Sequence, residues 1–222
     1  MMDKIYKQIS LLIIIFLIFT LSYVFADQEA EAAKKFQGSW ISPSADFKSY
    51  EIIFIDEVDV DSIRERDGIS KEDLSDLSNQ MRDRFSKILN NVMPVVLDRA
   101  GISGKKAMCI NLKLINITST NTGANALMQV VGFISRIPLP TPSSEGTASF
   151  EAIVTDLANG EKLIVVSDDS KADKNASIAG TEGLSKWKHA YNTMDYWADC
   201  LAALIAEKRG EEYKSQLKTK LI

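Results

Sequence analysis

The chain has 222 residues, with 26 Lys and Arg against 30 Asp and Glu, a single His, and a formal net charge of −4. An acidic chain of this kind carries no basic surface for nucleic-acid phosphates, one His builds no His cluster, and two Cys build no disulfide framework. Its length is enough for one domain with a real hydrophobic core.

Residues 1–26 read as a secretory signal peptide. Lys4 and Lys7 precede the apolar run Leu11 to Leu21, and Val24-Phe25-Ala26 places small residues for cleavage after Ala26. This predicts export across the inner membrane to a bacterial periplasm. The alternative is a retained N-terminal membrane anchor, since the apolar stretch is close to the roughly 20 residues of a span. Residues 27–38 form a polar, acidic lead-in that is expected to be flexible, and "SWISPSADFKSY" is expected to be irregular.

"YEIIFIDEVDV" is the first expected strand. The consecutive apolar residues Ile52 to Ile55 place it inside the sheet rather than at an edge. Its continuation brings Asp56, Glu57, Asp59 and Asp61 together in sequence, which are weak candidates for a metal or acid/base site. Strand alternation puts Asp56 on one side and the other three on the other, and the spacing is not that of an EF-hand loop. "GISKEDLSDLSNQMRDRFSKILNNV" predicts a helix capped by Ser70 with Asp73, burying Leu74, Leu77, Met81, Phe85, Ile88 and Leu89. "PVVLDRAGI" predicts a short strand.

"AMCINLKLINITST" alternates as a strand with Met108, Ile110, Leu112 and Leu114 on one face. Cys109 lies on the other face and Cys200 lies beside the apolar stripe of a helix, so a Cys109–Cys200 disulfide is a candidate that the facing geometry disfavours. Residues 125–144 are unusually apolar for a connection before Pro138, Pro140 and Pro142 break them. Such a segment either packs on the domain or is exposed for a partner, and Leu127, Met128, Val130, Val131, Phe133 and Ile134 are the candidate partner-binding residues.

"GTASFEAIVTDLANGEKLIVVSDDS" predicts a hairpin turning at Asn159-Gly160. Asp168 and Asp169 at its end are expected to be solvated. "GLSKWKHAYNTMDYWADCLAALIAEKRG" predicts a helix with Trp187, Tyr191, Met194, Ala198, Leu201 and Ile205 in one stripe, His189 on its polar side, and a stop at Gly210. Asn116 and Asn175 head N-x-[ST] acceptor patterns. The fold class that follows is α+β: a mixed sheet of four to five strands with two amphipathic helices on one face, as a single domain over residues 39–210 followed by a charged tail, 211–222.

The hairpin "SFEAIVTDLANGEKLIVVSDD", with the helix segment "WKHAYNTMDYW", resembles a bacterial envelope family known as domain of unknown function 3313, over Ser39 to Arg209. Many members of that family resemble lipoproteins, whereas this chain has no Cys at the end of its apolar run, so lipid anchoring does not carry over. The resemblance implies envelope location and fold but brings no catalytic residues or cofactor. Its sheet-and-helix plan is similar to small periplasmic adaptor domains, an argument by analogy alone. The expected function is a non-enzymatic envelope protein that binds a protein partner or the membrane surface through residues 125–144. The alternative is a small-ligand, metal-binding or hydrolytic module built on Asp56, Glu57, Asp59 and Asp61.

Overall fold

The computed structural model describes residues 31–64, 69–117, 147–171, 176–177, 187–215 and 217–219. The signal segment and residues 125–144, with the candidate partner-binding side chains Leu127 to Ile134, lie outside the described residues. A mixed six-stranded sheet runs in the order β1-β6-β5-β4-β2-β3. The strands are β1 (Gly38–Ile41), β2 (Ile52–Ile55), β3 (Val95–Val96), β4 (Ala107–Ile117), β5 (Thr147–Asp156) and β6 (Lys162–Lys171). β2 pairs in parallel with β3 and β4, and the remaining pairs are antiparallel. β7 (Ala176–Ser177) and β8 (Lys218–Thr219) form a separate two-stranded pair.

The sheet exceeds the expected four to five strands because "GSWI", within the stretch expected to be irregular, is the edge strand β1. Four residues give too short a pattern for alternation to register, and pairing with β6 decides their conformation. β2 is flanked on both sides, and all four of its residues are buried.

Helix α1 (Asp61–Arg64) is one turn. Helix α2 (Lys71–Leu89) starts at Ser70, whose side chain accepts from the Asp73 amide while the Asp73 carboxylate accepts from the Ser70 amide. It buries the six residues that the periodicity selects. Helix α3 (Lys188–Arg209) ends at Gly210, where φ is +72° and the Gly210 and Glu211 amides satisfy the last carbonyls.

Both long helices contribute to one core with the same face of the sheet. α3 is buried well beyond its predicted stripe, since Trp197, Cys200, Ala202, Leu204 and Ala206 are also inside. It is covered on several sides: by the sheet, by α2, and by the two ends of the described chain. The lead-in is anchored rather than loose in its described part. Ala32, Ala33 and Phe36 are buried, and the Glu31 and Ala32 amides donate to Glu207. Phe150 on β5 stacks on Trp197 with centroids 4.2 Å apart and contacts Phe36 and Phe85 at 6.1 Å each. One aromatic cluster therefore ties the lead-in, α2, α3 and the sheet together.

Two register shifts adjust this core. Ile115 is the extra residue between the pairs Leu114↔Phe150 and Asn116↔Ser149, which brings Ile117 to the core face beside Ala148. The second shift, between Val154 and Thr155, lets both Leu163 and Ile164 reach the core.

Candidate functional site

The four acids after β2 do not converge. Asp56 accepts from the Glu57 amide and pairs with Arg99 at 3.8 Å. Asp59 pairs with Lys113 at 3.2 Å on one carboxylate oxygen, and with the other accepts from the Asp61 amide at 2.8 Å, which starts α1. Glu57 and Asp61 are exposed. Val58 interrupts the strand alternation by turning into the core, because β2 stops at Ile55. Among the described residues, no group of three or more His, Cys, Asp or Glu side chains is placed to hold a metal ion.

Cys109 and Cys200 are both buried and free. Cys109 lies opposite Phe54 on the sheet face away from the helices, while Cys200 packs in the helix-side core. Burial pushes both thiols up, Cys200 to about 11, so neither is a poised nucleophile. Asn116 is 1% exposed, which closes its side chain to a glycan in the folded domain; Asn175 lies outside the described residues. The side chain of His189 is likewise outside them.

Asp168 corrects the expectation of a solvated carboxylate. In β6, Ile164, Val166 and Asp168 share the core face opposite Val154, Ala152 and Phe150, and Asp168 is 7% exposed. It accepts from the Trp197 indole N–H at 2.8 Å. Burial raises its pKa, while Trp197 and the Gln37 backbone N–H favour its charged form without cancelling that effect. The period-two pattern carried this placement; the assumption that a strand-end Asp is solvated hid it.

Several other buried polar groups join elements of the fold. Arg84 on α2 pairs with Asp195 on α3 at 2.7 Å and lies over the Tyr191 ring. Trp187 and Tyr191 donate to Asp73 and Asp76 on α2. Asp156 accepts from Tyr50, Ala158 and Asn159, fixing the hairpin turn in which Gly160 takes φ +74°.

The opposite side of the sheet carries partly exposed apolar side chains. Trp40, Val165 and Ile153 form one cross-strand row over β1, β6 and β5, and Asn111 on β4 continues it. Trp40 is 48% exposed, and Val165 and Ile153 are partly exposed. Leu97, after β3, is the other large exposed apolar side chain among the described residues. Sequence reasoning missed Trp40 because the strand that displays it was missed.

The fold defines a small α+β domain whose mixed sheet is backed on one face by two helices. The chain belongs to the family described as Protein of unknown function (DUF3313), whose model matches residues 21–201. No curated protein matches it. Among solved structures, it is similar to two PelC dodecamers from Paraburkholderia phytofirmans. Each is 8% identical; the matches cover 79% of this chain and 99% and 97% of theirs, at TM-scores of 0.40 and 0.39. It is also similar to the hypothetical protein CT253 from Chlamydia trachomatis, at 9% identity, 72% and 96% coverage and a TM-score of 0.35. No helix among the described residues is long and apolar enough to cross a membrane.

Proposed function

We propose that this chain is a non-enzymatic binding protein of the bacterial envelope, exported by residues 1–26, cleaved after Ala26, and docked on a protein partner. The observation that carries the reading is the row Trp40–Val165–Ile153 on the sheet face away from the helices. A partly exposed Trp beside two aliphatic side chains is the kind of anchor that protein interfaces concentrate their binding energy on. The apolar residues Leu127, Met128, Val130, Val131, Phe133 and Ile134, outside the described residues, are proposed from the sequence alone as a second partner-binding group. The acids Asp56 and Asp59 are engaged in local contacts, which leaves the metal and hydrolytic alternative without a supporting arrangement.

The test has two arms. The mass of the chain recovered from periplasmic extracts reports cleavage after Ala26, and an uncleaved mass overturns the export part. A photo-crosslinker at position 40 in the native host, compared with one at exposed Glu161, is expected to trap a specific partner at 40 alone. Trp40→Lys and the combined charging of Val130, Val131 and Phe133 are expected to abolish that interaction while the melting temperature holds. Equal crosslinking at both positions overturns the docking surface, and binding to vesicles instead of protein redirects it to the membrane.

A further inference from the structure

Asp199, Ala203 and Glu207 follow one another at four-residue spacing and so share a face of α3. Both ends of the described chain meet that face. Glu207 holds the lead-in through the Glu31 and Ala32 amides, at 3.0 and 3.1 Å. Asp199 holds the tail: it is 3% exposed, and its two carboxylate oxygens accept the Tyr213 hydroxyl at 2.8 Å and the Ser215 hydroxyl at 2.7 Å. The left-handed Gly210 turns the chain back along the helix to make this possible. Ser215 also accepts from the Leu217 amide at 3.2 Å, and Lys218–Thr219 then pairs with Ala176–Ser177.

We propose that residues 211–215 and 217–219 form a strap, clasped to α3 by Asp199, that opens as a unit while the six-stranded sheet and the α2–α3 pair stay closed. Its opening uncovers the Asp199–Ala203 face on the helix side of the domain, away from the docking row proposed above. The asymmetry of its attachment supports this. The core under α3 is held by aromatic and aliphatic packing, whereas Glu211, Glu212 and Lys214 are exposed and Tyr213 is the one strap side chain that packs against the core among the described residues. Two hydroxyl bonds that converge on one carboxylate, the Glu211–Arg209 ion pair at 2.8 Å where the strap leaves α3, and a two-residue ladder make a polar attachment with little buried apolar area. Segments of that kind open locally, ahead of the core.

Hydrogen exchange on the full chain, read by mass spectrometry, tests the strap. In the unsubstituted protein, the amides of 213–215 and 217–219 are expected to exchange before those of β4, β5 and α2 but more slowly than an unstructured peptide. The double variant Tyr213→Phe/Ser215→Ala keeps the carboxylate and removes both donors. It is expected to speed strap exchange by at least about tenfold and leave the core amides unchanged. Ser215→Ala alone, with the Tyr213 ring still packed, is expected to give the same pattern at smaller amplitude, together with faster tryptic cleavage after Lys214. Strap and core amides accelerating together, strap exchange unaffected by either variant, or exchange at the unstructured rate in the unsubstituted chain would each overturn the proposal.

Discussion

The indole N–H of Trp197 on α3 donates to the carboxylate of Asp168 on β6 across 2.8 Å of buried space, while the same indole stacks on Phe150. A carboxyl group is thereby held inside the core beside a stacked aromatic pair.

This arrangement has a pH signature. Burial holds the Asp168 pKa above its ordinary value, so the stability tied to its neutral form is fully present below the unfolded value of about 3.9 and is lost as pH rises through the raised folded value. Asp168→Asn keeps an oxygen for the Trp197 N–H and removes the ionisation. Urea unfolding from pH 4 to 7 is expected to show the Asn variant gaining on the unsubstituted protein as pH rises, and parallel pH curves would refute the assignment. Trp197→Phe is expected to cost about 2–4 kcal/mol, from the lost donor to a buried charge plus lost aromatic volume.

Asp156 behaves in the opposite sense. Burial pushes its pKa up, but the Ala158 amide, the Tyr50 hydroxyl and the Asn159 amide outweigh this, with help from Lys106, and hold it below its ordinary value. Its contribution is present above the unfolded value of about 3.9 and is lost as pH falls through the lower folded value. Asp156→Ala is expected to cost about 2–3 kcal/mol at neutral pH, since three donors lose one acceptor, and the deficit should shrink in strong acid. Chemical denaturation at pH 7 and pH 2 compares the two conditions.

The sequence pattern was most legible where one side of an element meets water. α2 has solvent along one face, so its apolar period and the Ser70–Asp73 cap mark both its extent and its buried residues. α3 was legible as a helix, but the extent of its burial was not, because the helix is covered on several sides and small residues such as Ala202 and Ala206 carry little apolar signal of their own. β1 is fixed by its pairing with β6 rather than by its own pattern. The Ile115 bulge is a tertiary adjustment without a local mark. Among the polar groups, the scattering of Asp56, Glu57, Asp59 and Asp61 followed from alternation and the end of β2. The burial of Asp168 was also in the alternation, masked by its charge.

The pair Arg84–Asp195 joins α2 to α3 at 2.7 Å, with both side chains largely buried. Removing Arg84 takes the ion-pair partner from a nearly buried carboxylate, so Arg84→Ala is expected to destabilise the fold by about 3–5 kcal/mol, whereas replacing both with apolar side chains of similar volume is expected to be near neutral. Urea unfolding of the two single variants and the double variant closes the cycle. A double variant as damaged as Arg84→Ala would show that Arg84 acts mainly through the Tyr191 ring it covers.

Asp59 joins an ion pair with Lys113 to a hydrogen bond that starts α1, and its amide and carbonyl bond the β4 backbone at Leu112 and Leu114. Its side chain therefore braces the turn that leads into α1. Titration with Ca²⁺, Mg²⁺ and Zn²⁺ is expected to give no binding heat and no shift in melting temperature. Asp59→Ala is expected to cost about 1 kcal/mol, the usual worth of one hydrogen bond, because the ion pair is close to half exposed and adds little in water. Asp59→Asn, which keeps the acceptor for the Asp61 amide and loses the charge, is expected to recover most of that stability. A cation-dependent rise in melting temperature that disappears in Asp59→Asn would instead restore the carboxylates after β2 as a metal site.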